Sequence, residues 1–142
     1  MTTSLTSVVD AVATRLNELG LGYWDTSSTY PKTPPRTPIY GKRYATGTPT
    51  AAIAVTAYNV TLPTNPDLHT ETIRVQVRCR NVGNADLIAD PIVNAIHGQH
   101  HQTWGPLTIQ RCIHISTAQL GADTQNMDER TDNYELEILT NG

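Results

Sequence analysis

The sequence predicts an α+β fold: an antiparallel or mixed sheet of about four strands, with two helices packed on one face and a long Pro-rich loop. Three observations carry this expectation. Two stretches repeat apolar residues at helical spacing, and four alternate apolar with polar residues at the period of a strand. Their order is helix, loop, two strands, helix, two strands, which suits helices covering one side of a sheet. With 142 residues and no second core-forming stretch, the chain is expected to form one domain over 1–142, of a size that folds alone.

The first helix rests on Leu5, Val8, Val9, Val12, Leu16 and Leu19, which follow the i, i+3, i+4, i+7 pattern of one face. Thr3 or Ser4 is placed to cap its start, and Gly20 to end it in a left-handed conformation. From Trp24 to Thr50 the chain holds five of its nine prolines. Proline withholds backbone donors, so residues 24–50 are expected to be a loop without regular structure. Ile39, Tyr40 and Tyr44 should tie its second half to a surface.

Ala51 to Val60 is rich in β-branched and aromatic residues and reads as a strand. Thr70 to Arg80 is the clearest one: Ile73, Val75, Val77 and Cys79 alternate with Arg74, Gln76, Arg78 and Arg80. A slip of one residue would bury three arginines, so the register is strongly specified. Asn84 is placed to cap a second helix with the stripe Leu87, Ile88, Ile92, Ala95 and Ile96. Pro91 should kink it, unless the helix starts at Asp90 and proline occupies the first turn. A third strand, Leu107 to Ser116, would point Leu107, Ile109, Ile113 and Ile115 one way and Cys112 the other. After a polar segment from Thr117 to Asp132, Tyr134, Leu136 and Ile138 alternate with Glu135 and Glu137 in a fourth.

The formal charge of −3 argues against wrapping nucleic acid, because phosphate binding needs a basic surface to release counterions. The charges are segregated nonetheless. Lys32, Arg36, Lys42 and Arg43 fall in the loop, and Asp123, Asp128, Glu129, Asp132, Glu135 and Glu137 fall near the C-terminus. The N-terminus lacks the basic start and apolar run of a signal peptide, and no segment reaches the ~18 apolar residues of a membrane span. The expected setting is the cytosol, where Cys79 and Cys112, lacking CxxC spacing, are packing thiols.

Motifs for chemistry are weak. His97, His100 and His101 stand in the run HGQHH, but no carboxylate or cysteine close in sequence completes a metal set, and the run reads as a polar turn. Asp128, Glu129 and Asp132 resemble paired carboxylates, yet polar neighbours make a solvated turn the expectation. Glycine-loop, HExxH and GxSxG signatures are absent. No cofactor, metal or catalytic residue is therefore expected. The arginine face of the Thr70 strand can be a solvated face with charge pairs to Glu135 and Glu137, or a docking face. Candidate interface residues are Arg36, Lys42, Arg43, Arg74, Arg78, Arg80, Asp128, Glu129 and Arg130.

The segments LNELGLG, TPIYGKRY, AAIAVTAYN, TIRVQVRCR and ADLIADPIVNAIHG, with the two closing strands, together resemble the small minor capsid or tail terminator proteins of siphophages. The resemblance covers nearly the whole chain and rests on element order rather than on a catalytic signature. It implies a structural, non-enzymatic protein that joins copies of itself in a hexameric ring, caps the tail tube protein and offers a surface to the head-tail connector or head-closure protein. It would sit in the virion neck after assembly in the host cytoplasm, with DNA passing through the lumen without specific binding and no membrane involved. Loops such as Thr33 to Thr50 and Asp123 to Thr131 are the expected contact or lumen elements, and deleting Thr33 to Thr48 should spare folding. A head-closure or adaptor protein is the nearest alternative. A small metal-dependent hydrolase and a ligand-binding module are the alternatives of other classes.

Overall fold

The computed structural model describes residues 4–25, 36–42, 51–61, 70–122 and 126–139. They form α1 (Leu5–Glu18), β1 (Ile39–Gly41), β2 (Ala51–Thr61), β3 (Thr70–Val82), α2 (Asp86–Ile96), β4 (His100–Trp104), β5 (Leu107–Ala122) and β6 (Met127–Leu139). The strands make one mixed sheet of order β1-β2-β3-β6-β5-β4, antiparallel except where β1 runs parallel to β2. The sheet thus has six strands rather than about four; the two extra ones, β1 and β4, are short and lie at its edges. Both helices pack on the same face and share one core with it. No helix among the described residues is long and apolar enough to cross a membrane.

The amphipathic pattern of α1 buries Val8, Val9, Val12 and Leu16, while Leu5 and Leu19 at its ends stay exposed. The Ser4 side chain accepts a hydrogen bond from the Ser7 amide at 3.1 Å, which satisfies one of the free donors of the first turn. At the other end Gly20 takes φ +74°. The amides of Gly20 and Leu21 donate to the carbonyls of Asn17 and Leu16, the paired closure of a glycine-terminated helix.

In β3 the expected alternation holds: Ile73, Val75, Val77 and Cys79 are buried in the core and the arginines between them face the other side. Each fully buried aliphatic side chain contributes about 1.5–3 kcal/mol, which fixes the register against a one-residue slip. Helix α2 starts at Asp86, not Asp90. Asn84 does serve its start, since its Oδ1 accepts from the Asp86 amide at 2.9 Å. Pro91 therefore lies inside the helix, at an exposed position, and withholds the donor that would reach the Leu87 carbonyl. Leu87 itself, expected on the apolar stripe, is 69% exposed.

Three expectations are corrected. The Pro-rich loop contains β1: Ile39 pairs with Ile53 and is fully buried, and the Ile39 amide donates to the Tyr23 carbonyl at 2.9 Å. Removing Thr33 to Thr48 would take a core residue and a strand with it, so that deletion would not spare folding; Tyr44 lies outside the described residues. The histidine run is not simply a turn, because His100 and His101 begin β4, whose one buried anchor is Trp104. The polar segment Thr117 to Asp132 is mostly strand, the far half of β5 and the start of β6.

Strand β5 also departs from simple alternation. Its register against β6 shifts between Ile109 and Arg111, His114 and Ser116, and Gln119 and Gly121, so that Gln110, Ile115 and Leu120 are each one residue too many. A bulge of this kind reverses which side the following residues face. Ile109 and Cys112 are consequently both in the core, whereas Ile115, expected inside, is 42% exposed.

Candidate functional site

The sheet face opposite the helices carries a ladder of opposite charges. β3 and β6 place Arg74 opposite Glu135, and their side chains meet at 3.4 Å. Arg78 reaches diagonally to Glu129 at 2.8 Å. Glu137 pairs with Arg111 of β5 at 3.5 Å rather than with a β3 arginine. Arg80 stands directly opposite Glu129 in the register. Such partly exposed cross-strand pairs contribute about 0.2–1 kcal/mol each.

Asp128, Glu129 and Arg130 are consecutive on a strand, so they separate to opposite faces instead of forming a solvated turn. Asp128 accepts from the Ala85 amide at 2.7 Å and so anchors the start of α2, where a carboxylate also meets the positive end of the helix dipole. Arg130 lies beneath α2 with its side chain only 8% exposed. Its guanidinium bonds Asp132 at 3.0 and 3.1 Å, Asp86 at 2.9 Å and Asp90 at 2.6 Å. Burial alone would lower the Arg130 pKa, but the hydrogen bonds to Asp132, Asp90 and Asp86 outweigh it and raise it. A permanently charged fork with planar geometry is the side chain suited to hold several carboxylates at once.

Asp132, whose side chain is 2% exposed, is completed by His114 Nε2 at 2.9 Å and by the Thr117 hydroxyl, which donates to Oδ1 at 2.5 Å. Thr117, His114 and Asp132 look like a nucleophile, base and acid, but both oxygens meet the same ring nitrogen, Nε2. A relay needs the two nitrogens of the imidazole to serve different partners, so as placed the group is a clasp between β5 and β6 around buried Asp132. The His114 amide donates to His97 Nδ1 at 2.9 Å, which leaves His97 as an acceptor there. Among the described residues no group of three His, Cys, Asp or Glu side chains could hold a metal ion.

Burial pushes the thiols of Cys79 and Cys112 up to about 12, as expected of packing cysteines. The Tyr134 hydroxyl is also raised, first by burial and then by the Asp132 charge. Its oxygen is buried without a hydrogen-bond partner among the described residues.

Of the basic loop, Arg36 is exposed and reaches Asn17 at 3.5 Å, and Arg43 lies outside the described residues. Lys42 is exposed just past β1 with φ +69°. It borders a cavity of about 190 Å³ lined by Leu5, Thr6, Val9, Trp24, Gly41 and Ala57. The cavity forms because the first turns of α1 stand above the β1–β2 edge. Trp24, held by a 2.9 Å bond from its indole to Asp10, makes part of its wall. No sequence pattern announced it, since its lining comes from four separate segments. No protein-family model matches the chain, and no curated protein matches it significantly.

Proposed function

We propose that this chain is a structural subunit of a phage virion, a siphophage tail terminator or minor capsid protein that works as a ring. In this reading the ring binds the last layer of tail tube protein, stops its polymerisation and leaves a joining surface for the head. One observation carries it. Arg74, Arg78, Arg111, Arg130 and Asp132 are engaged with partners inside the chain, while Leu5, Leu87, Ile115 and Leu120 stay exposed. A chain so arranged has more to offer another protein than a substrate. Separate patches on one subunit are also what a head-to-tail ring requires.

The test is electron microscopy of the purified protein mixed with tail tubes, and separately with heads, of the virus that encodes it. Rings seated on tube ends, and tubes of limited length when assembly is run in their presence, are the expected result. Rings that seat on heads and never on tubes would move the protein to the head-closure or adaptor position. Absence of rings with either partner would refute the structural role.

A further inference from the structure

We propose that copies of this chain join head to tail, with Leu120 of one copy seated in the α1–β1–β2 cavity of the next. The inference rests on the ring reading above and adds the contact that would build it.

The two patches lie at opposite edges of the sheet. The cavity belongs to the edge formed by β1 and β2, and Leu120 to β5 at the other. Beyond His114 no strand among the described residues pairs with the outer side of β5. An unpaired edge could add a foreign strand, but bulges at Ile115 and Leu120 interrupt the ladder that such addition needs. What this edge presents instead is side chains. Leu120 is 50% exposed. Gln119 next to it bonds Asp86 at 2.8 Å, which brings the start of α2 with exposed Leu87 alongside.

The fit is one of size and charge. A cavity of about 150 Å³ with an apolar lining holds a benzene-sized group, so a cavity of about 190 Å³ admits one branched aliphatic side chain. Its rim carries Lys42, which no carboxylate pairs among the described residues. Asp86, which accepts from Gln119 beside the leucine, keeps a 40% exposed side chain even in its pair with Arg130. Lys42 meeting Asp86 favours this pairing, whereas two-fold contact of the cavity with itself would set two lysines together. Two unlike patches at opposite edges also propagate from copy to copy until the rotation closes a ring.

Three full-length variants test this: Thr6→Cys, Leu120→Cys and Leu120→Asp. Both replaced side chains are exposed, and circular dichroism checks that the variants fold. Cys79 and Cys112 are buried and stay silent. Under mild oxidation the mixture of Thr6→Cys and Leu120→Cys should give a cross-linked dimer that neither forms alone, and Leu120→Asp should weaken ring formation roughly tenfold or more. A disulfide within Leu120→Cys alone, or rings unaffected by Leu120→Asp with no mixed cross-link, would overturn this contact and leave the ring reading intact. Loss of tube binding by Leu120→Asp with self-association unchanged would likewise overturn it and assign the leucine to another protein. If the unaltered protein forms no ring alone or on tubes, both proposals fall together.

Discussion

Replacing Arg130 by methionine should be among the most damaging single changes in the chain. The substitution keeps the aliphatic stem but removes four donor contacts to Asp132, Asp86 and Asp90. Asp86 and Asp90 can turn to water; Asp132, 2% exposed, cannot. Leaving one member of a buried ion pair uncompensated costs about 3–5 kcal/mol. For a domain of this length each kcal/mol moves Tm by ~4 °C, so the variant should melt about 12–20 °C lower. Urea unfolding followed by circular dichroism measures the loss directly, and an unchanged slope with denaturant confirms that the same surface is exposed. Adding Asp132→Asn should recover at least half of the loss, because the amide keeps a partner in Thr117 without a buried charge. A loss below about 1 kcal/mol, the range of solvent-exposed pairs, or a double variant no better than the single one, would refute the account of a buried clasp.

Three further outcomes follow from single contacts. Tyr134→Phe should leave stability within about 1 kcal/mol or raise it in the same urea assay, since the hydroxyl is buried without a partner. A clear loss would mean that the hydroxyl is bonded. Gly22→Ala would place a methyl 2.6 Å from Ile39 Cδ1 and should cost about 1–3 kcal/mol; adding Ile39→Val should return part of it, and failure to do so would place the strain elsewhere. Asp86 is held below the usual carboxylate range, first by the Gln119 hydrogen bond and then by Arg130. Its lowered folded-state pKa stabilises the protein above that range, near ~4, and the contribution disappears as pH falls below it. Tm of Asp86→Asn should therefore lie under that of the unaltered chain at neutral pH and converge with it in acid; a gap independent of pH would contradict the assignment.

The interior of the fold was legible wherever burial and periodicity agreed. α1 and β3 each repeat apolar residues for several turns or pleats, and a long amphipathic run leaves one arrangement that keeps Val8, Val12, Ile73 and Val77 from water. The edge strands were not legible, for reasons specific to each. β1 is three residues long in a proline-rich stretch, and Ile39 is its one fully buried side chain. β4 consists of two histidines, Gln102, Thr103 and one buried tryptophan, too little alternation to count. β5 misled because each bulge shifts its parity, so Ile113 and Ile115 mimic an inward stripe that Cys112 in fact supplies.

The candidate interface residues were legible only by type. Charge alternation marked Arg74 and Arg78 as a face apart from the core and named Glu135, which Arg74 meets, but it missed Glu129 as the partner of Arg78 and Arg111 as that of Glu137. Arg130 read as part of a polar turn because its partners Asp86 and Asp90 lie about forty residues away in sequence. The cavity beside Lys42 depends on the helix, the tryptophan and two strands meeting in space, and no local pattern encodes such a meeting.

The surplus residues of β5 recur every fifth position, at 110, 115 and 120. Tolerance to mutation along this strand should therefore run in short blocks whose inside and outside swap at each break. Shortening the strand by the residue at a break would restore continuous pleating and leave every later side chain opposite its present neighbour on β6, because the surplus residue is the unpaired one. The hairpin is in that sense threaded like a screw with three pitch corrections, each removable without parting Thr117 from Asp132.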